Sequence, residues 1–244
     1  MNIRMLIQYD GTAYSGWQKQ KNTDSTIQGR IEKALSEILG EETEISGAGR
    51  TDAGVHASGQ VANMHLTRSL SPGQLLKPLN EILPDDIAVT AMDCVPDRFH
   101  SRLSAKGNDT GIGSGRIIGK KFFEKRQIWA YGKPLDLDAV RAAAEELTGT
   151  FDFRSFCSNK KMKKSSVRTL SQIAVEERDG ETDLVFEGDG FLQGMVRIIT
   201  GTLIETGEGK RLPGDMKKIL ALRMRSEAGF TAPPQGLILE EVYY

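Results

Sequence analysis

Asp52 and Arg50 stand two residues apart in Gly47-Ala48-Gly49-Arg50-Thr51-Asp52-Ala53-Gly54-Val55-His56-Ala57, a stretch otherwise made almost wholly of small residues. Glycine takes φ > 0 without steric cost and lets backbone or ligand approach closely. A carboxylate held in such a loop can attack as a nucleophile and split one hard step into two easier ones. The bland alternative is a glycine-rich turn whose Asp hydrogen-bonds its own backbone, and the loop alone does not decide between them. His56, a lone histidine after the Asp motif, reads as structural rather than as an acid or base, and His65 and His100 form no metal-ligand spacing with it. Asp10, Asp152 and Asp189 lie beside glycine or aromatic residues and read as turn or cap carboxylates.

The elements around this loop alternate between two periods. Asn2 to Tyr9 puts Ile3, Met5, Ile7 and Tyr9 on one face of a strand. Ser25-Thr26-Ile27-Gln28 has the form of a capping box, and Ile27, Ile31, Ala34, Leu35 and Ile38 follow at helical spacing until Gly40. The run Gly59 to Leu66 alternates as a strand. Ser71-Pro72 opens a helix with Leu75, Leu76, Leu79, Ile82 and Leu83 as its buried stripe. Pro84-Asp85-Asp86 then breaks it before a strand over 87–92.

The second half repeats the grammar. Asp136 caps a helix carrying Leu137, Val140, Ala144 and Leu147, and strands over 170–177 and 182–187 turn at Asp179-Gly180. Phe191 begins an apolar helix, a short helix covers 215–222, and a last strand covers 236–243. Strand, helix, strand, helix, strand occurring twice predicts an α+β chain of two halves, each a sheet covered on one face by helices.

With 244 residues, 39% hydrophobic and 27% charged, the chain is long enough for one large or two ordinary domains with a proper core. No apolar run approaches the ~18 residues of a membrane span, and the amino terminus enters a strand pattern without a signal-peptide core, so the expectation is a cytoplasmic protein with no membrane partner. Cys94 and Cys157 have no CxxC spacing and read as two buried thiols rather than a zinc or disulfide framework. The net charge of −1 hides an uneven distribution: residues 98–168 hold 16 Lys+Arg against 7 Asp+Glu. Lys160-Lys161-Met162-Lys163-Lys164, with Lys120, Lys121, Lys125, Arg126 and Arg168, makes that middle a candidate phosphate-facing surface.

The eleven-residue string resembles the active-site motif of the tRNA pseudouridine synthase A family, and the match continues along the chain. Tyr9-Asp10-Gly11-Thr12-Ala13-Tyr14-Ser15-Gly16-Trp17-Gln18 is similar to the family's opening, Asn80-Glu81-Ile82-Leu83-Pro84-Asp85-Asp86-Ile87 to its middle, and Phe99-His100-Ser101-Arg102 with Ser104-Ala105-Lys106 to the entry of its second half. Gly149-Thr150-Phe151-Asp152-Phe153-Arg154-Ser155-Phe156, Gly188-Asp189-Gly190-Phe191-Leu192 with Met195-Val196-Arg197, and Ala228-Gly229-Phe230-Thr231-Ala232-Pro233-Pro234 carry it to the end.

The resemblance implies two ferredoxin-like (RRM-like) halves, residues 1–104 and 105–244, with joined antiparallel sheets, helices on one face and a basic central cleft. It implies an isomerase that converts uridine to pseudouridine in the tRNA anticodon stem-loop, with no cofactor, acting as a homodimer. Asp52 matches the catalytic aspartate and Arg197 the arginine that pairs with it, which would keep the carboxylate ionised. Arg50, Thr51, His56 and position 110 fall to substrate binding.

The chain departs from the family at that last position. Where the family has two tyrosines one residue apart, the first stacking on the target uracil, this chain reads Gly107-Asn108-Asp109-Thr110-Gly111-Ile112-Gly113-Ser114. Codons for Asn108 to Ser114 written AAC GAT ACA GGT ATC GGA TC, entered one nucleotide earlier, encode Lys-Arg-Tyr-Arg-Tyr-Arg-Ile and restore tyrosine at positions 110 and 112. A pair of compensating frameshifts over 108–115 accounts for the departure, and codons that cannot be read this way would end the idea. As the chain stands, Thr110 removes a stacking platform worth roughly 1–3 kcal/mol, and a tRNA-binding protein with impaired catalysis is the alternative. A glycoside hydrolase would need a second carboxyl partner, and no other acid is framed as Asp52 is. Gln193-Gly194 in place of the family's Tyr-Asn is a smaller change, expected to be tolerated.

Overall fold

The computed structural model describes residues 1–67, 69–105, 113–117, 126–178 and 181–244, with 113–117 and 178 described as backbone only. Thr110, Lys120, Lys121, Lys125 and the Asp179-Gly180 turn lie outside the described residues. The chain falls into two compact units, Met1–Ala105 with Leu239–Tyr244, and Lys106–Ile238.

In the first unit β1 (Asn2–Tyr9), α1 (Ile27–Leu39), β2 (Ser46–Gly47), β3 (His56–His65), α2 (Pro72–Ile82) and β4 (Ile87–Val95) follow one another. The strands pair antiparallel in the order β4-β1-β3-β2, which is the βαββαβ arrangement. Ile3, Met5, Ile7 and Tyr9 of β1 pack with Ile27, Ile31 and Leu35 of α1 and Leu75 and Leu79 of α2. Full burial of one such aliphatic side chain is worth about 1.5–3 kcal/mol, so this face holds the helices on the sheet. The last residues close back on the same unit: the Tyr244 hydroxyl donates to the Ser101 carbonyl at 2.6 Å, and its ring lies 5.0 Å from that of Phe99.

Several local expectations are corrected. The cap of α1 is Thr26, whose hydroxyl accepts from the Gly29 N–H at 3.2 Å, while the Ser25 hydroxyl donates to Ala13 O. In α2, Leu75 and Leu79 are buried but Ile82 is exposed, because the stripe continues through Leu83 instead. Cys157 is buried as expected, whereas Cys94 is exposed near the end of the edge strand β4.

The second unit contains β5 (Gly113–Ile117), α3 (Leu137–Glu145), β6 (Gly149–Asp152), β7 (Val167–Arg178), β8 (Glu181–Gly188), α4 (Met195–Gly207) and α5 (Asp215–Leu222). Its strands pair antiparallel in the order β5-β8-β7-β6. Its core gathers Val140 and Ala144 of α3, Phe153, Phe156, Leu184 and Phe186, and Ile198, Ile199 and Leu203 of α4. A short β9 (Leu237–Leu239) is all that forms of the strand expected over 236–243. Helices and antiparallel sheets in both units make the fold α+β.

Candidate active site

The Asp52 loop runs from β2 to β3 and is held by backbone and side chain along its length. The Ala48 N–H donates to Val61 O at 2.8 Å, and the fully buried Gln60 amide donates from Nε2 to Gly49 O at 3.0 Å. The Thr51 carbonyl accepts from the Trp17 N–H at 3.1 Å, and the Thr51 hydroxyl lies 2.8 Å from the Tyr9 hydroxyl. Burial pushes the Tyr9 phenol up to about 12, its bond to Thr51 pulling the other way, so it is a neutral hydroxyl at physiological pH. Past Asp52, the Val55 N–H returns to Asp52 O at 3.2 Å and the Gly54 N–H donates to Tyr14 O at 3.3 Å, with Gly54 at φ 76°. Buried polar groups rigidify a loop only when they are satisfied, and here Thr51 on one side of Asp52 and Gly54 on the other are both anchored. Asp52 itself is half-buried, and Arg50 is exposed.

Residues 10–17 form the wall against which the loop sits. An added Cβ on Gly16, at φ 95°, would stand 2.7 Å from Thr51 O, so only glycine permits this approach. His56 is 3% exposed, and its Nδ1 accepts from the Gly11 N–H at 3.1 Å and lies 3.1 Å from Asp10 Oδ1. Asp10 also caps the short 3-10 helix Gly11–Ala13, accepting from the Thr12 N–H at 2.9 Å. Asp152 and Asp189 likewise accept backbone N–H groups, from Arg154 and Thr169.

Arg197 lies in the second unit, in the first turn of α4. Gly194 precedes that helix at φ 70°, a left-handed conformation open to glycine and, next best, asparagine. The Arg197 Nε donates to Ala232 O at 2.7 Å, and the Ala232 N–H donates back to Arg197 O at 2.9 Å. Asp52 and Arg197 thus belong to different units, each seated in its own network. Among the described residues no group of three or more His, Cys, Asp or Glu could hold a metal ion, and no helix is long and apolar enough to cross a membrane.

Residues 5–103 and 143–244 match the family model described as tRNA pseudouridine synthase. The chain belongs to the tRNA pseudouridine synthase family. It is 42% identical over 246 residues to the tRNA pseudouridine synthase A of Bacillus sp. (strain KSM-64), covering 100% of this chain and 99% of that protein. The protein of the same name from Acetivibrio thermocellus is 42% identical over 247 residues, and that from Clostridium acetobutylicum 39% over 243, each again with 100% of this chain and 99% of the relative covered. The segment between the two matched stretches of the synthase model includes Thr110 and the octapeptide around it. Three supports of the synthase loop carry no motif in the sequence: the Tyr9 hydroxyl, Gln60 and the Trp17 backbone. The signal for Gln60 was present, since the alternation of Ala62 and Met64 carries it inward as the polar member of a buried row.

Proposed function

We propose that this isomerase converts uridine to pseudouridine in the anticodon arm of tRNA, with Asp52 as the nucleophile and Arg197 as its ionic partner. In the reaction the N1–C1′ bond of uridine breaks, the uracil turns, and a C5–C1′ bond forms. The proton lost from C5 is balanced by the one that N1 gains, so no oxidant, reductant or cofactor enters. The observation that carries the reading is the half-buried carboxylate of Asp52 on a loop pinned on both sides, by Thr51 to Tyr9 and Trp17 and by Gly54 to Tyr14. A nucleophile on a fixed backbone meets its target in a near-attack geometry without further ordering.

The target base must leave its stack, at a cost of a few kcal/mol, before it meets the carboxylate. Position 110 is where the resemblance puts the stacking side chain, with Arg50 and Thr51 toward the substrate and the buried His56 supporting the turn at Gly11 behind them. The charge imbalance of residues 98–168 supports an RNA-facing second half in a two-half protein with a basic cleft. A homodimer in the cytoplasm is the arrangement that the resemblance supports.

Incubation with unmodified tRNA tests the reading, with pseudouridine measured in the digested product. The chain should form it, and Asp52→Ala should abolish formation while still binding tRNA. Binding of tRNA without turnover by the unaltered chain would overturn catalysis in favour of an RNA-binding role, and free uracil would point to a hydrolase.

A further inference from the structure

One segment of the second unit has the contacts of a brace rather than a connection. Residues 228–232 cross α4 so closely that a Cβ on Gly201 would stand 2.0 Å from Phe230 O. Thr202 serves as a relay: its hydroxyl donates to Ile198 O at 2.7 Å and accepts from the Gly229 N–H at 2.9 Å. From the other side the Arg225 guanidinium donates to Gly229 O at 2.9 Å and to the Thr231 hydroxyl at 3.0 Å. Burial pulls this guanidinium below its usual range while the Glu205 charge pulls the other way, so these acceptors and that carboxylate together offset its desolvation. The segment then delivers Ala232, whose carbonyl receives Nε of Arg197 at 2.7 Å.

We propose that Arg225 and Thr202 are positioning residues for Arg197, holding the 228–232 segment so that the Ala232 carbonyl fixes the plane of the Arg197 guanidinium. A guanidinium is planar and offers its donors as a fixed fork. Once Nε is committed to a carbonyl, rotation about the last side-chain bond is arrested and the edge bearing the terminal nitrogens faces one direction. A carboxylate met by that edge is held by two parallel bonds. The geometry explains why neither Gly201 nor Gly229 carries a side chain, since a Cβ on Gly229 would lie 2.8 Å from the Thr202 Cα. The inference rests on Arg197 being the partner of Asp52.

Two variants of the full-length protein test it. Arg225→Lys keeps the charge but loses the fork, and Thr202→Val keeps nearly the same shape but loses the relay; should the first fail to fold, the second carries the test. The expected result is a single-turnover rate lowered tenfold to about a hundredfold by a small misplacement, with tRNA affinity unchanged. A role in stability alone would not lower the single-turnover rate of folded protein at saturating tRNA while leaving affinity intact. The Arg197 Nε–H proton, assigned by its loss in Arg197→Lys, should exchange slowly with solvent in the parent and fast in both variants. An unchanged rate in a folded variant would overturn the brace, as would fast exchange of that proton in the parent. If the parent made no pseudouridine the catalytic reading would fail separately, and the exchange measurement would still judge the brace.

Discussion

Gly11 and Val55 meet backbone to backbone: a Cβ on Gly11 would stand 2.0 Å from the Val55 carbonyl oxygen and 2.6 Å from its carbon. Neither of those atoms can rotate away, so Gly11→Ala must push the 10–17 wall off the Asp52 loop. Overpacking of this sort costs typically 1–3 kcal/mol. The loss of turnover should exceed what the lost stability explains, because a shift of about 1 Å at a reacting group is worth up to about a hundredfold. Gly73→Ala is the control, since a Cβ there meets nothing within 4 Å. Thermal melts and pseudouridine formation by both variants check the contrast; equal activity would remove the wall from the account of the site.

Tyr9 supports the same loop from beneath through its hydroxyl on Thr51. Tyr9→Phe removes that bond with little change of shape, and a typical buried hydrogen bond is worth about 0.5–1.5 kcal/mol net. Its alkaline behaviour is a sharper signature. The phenol sits at 10 in the unfolded chain and at about 12 when folded, so the folded state binds its proton more tightly. That contribution is complete below pH 10 and is lost as pH rises through 12. Denaturant melts should show the parent losing stability across this window more steeply than Tyr9→Phe; parallel curves would contradict the burial of a neutral phenol.

What was legible in the sequence and what was not divide on physical lines. The strand Asn2–Tyr9 and the helix Asp215–Leu222 stand where the periodicity places them, because one face of each is buried and nothing competes. The apolar run predicts α4 from Phe191, before the helix can begin. Gly194 at φ 70° lies between, and Met195 is the first helical residue. Hydropathy records burial, not handedness. The capping-box spacing puts the cap of α1 one residue early because Ser25 and Thr26 are both competent, and the choice is made by Ala13, which takes the Ser25 hydroxyl. At the site, residue types announced Asp52 and its small neighbours, but no local pattern shows that Gln60 reaches back to Gly49 or that Ala232 receives Arg197. Those contacts join residues 11 and 35 positions apart, and only the folded chain brings them together.

Glu208 ties the end of α4 to a small charged cluster. Lys210, Tyr131 and Lys133 hold its carboxylate at about 2, well below the ordinary 4.5, and Lys133 also lies 5.7 Å over the Tyr131 ring. A depressed carboxylate binds its proton more weakly when folded than unfolded. Its contribution is therefore present above pH 4.5 and is lost as pH falls toward 2. Acid titration of stability should be shallower in Glu208→Gln than in the parent within that window, with the two curves running parallel above it. Identical slopes would mean that the cluster is solvated and contributes nothing.

The lysine run 160–164 decides whether the basic middle of the chain faces RNA or only water. Lys160, Lys161, Lys163 and Lys164 are all exposed. The Ser158 N–H and hydroxyl both donate to Gln193 O, at 3.0 Å each, so the loop is anchored next to the turn that opens α4. Arg197 follows in the first turn of that helix. Phosphate contacts release counterions, and each one lost lowers the slope of log affinity against log salt by about 0.7–0.9. Replacing the four lysines by alanine should weaken tRNA binding at low salt and flatten that slope by the equivalent of at least one contact, while changing folding stability by no more than surface substitutions do, about ±0.5 kcal/mol each. Flattening with an unchanged single-turnover rate at saturating tRNA assigns the run to docking rather than chemistry. An unchanged slope means a solvated face, and the RNA then meets the chain elsewhere.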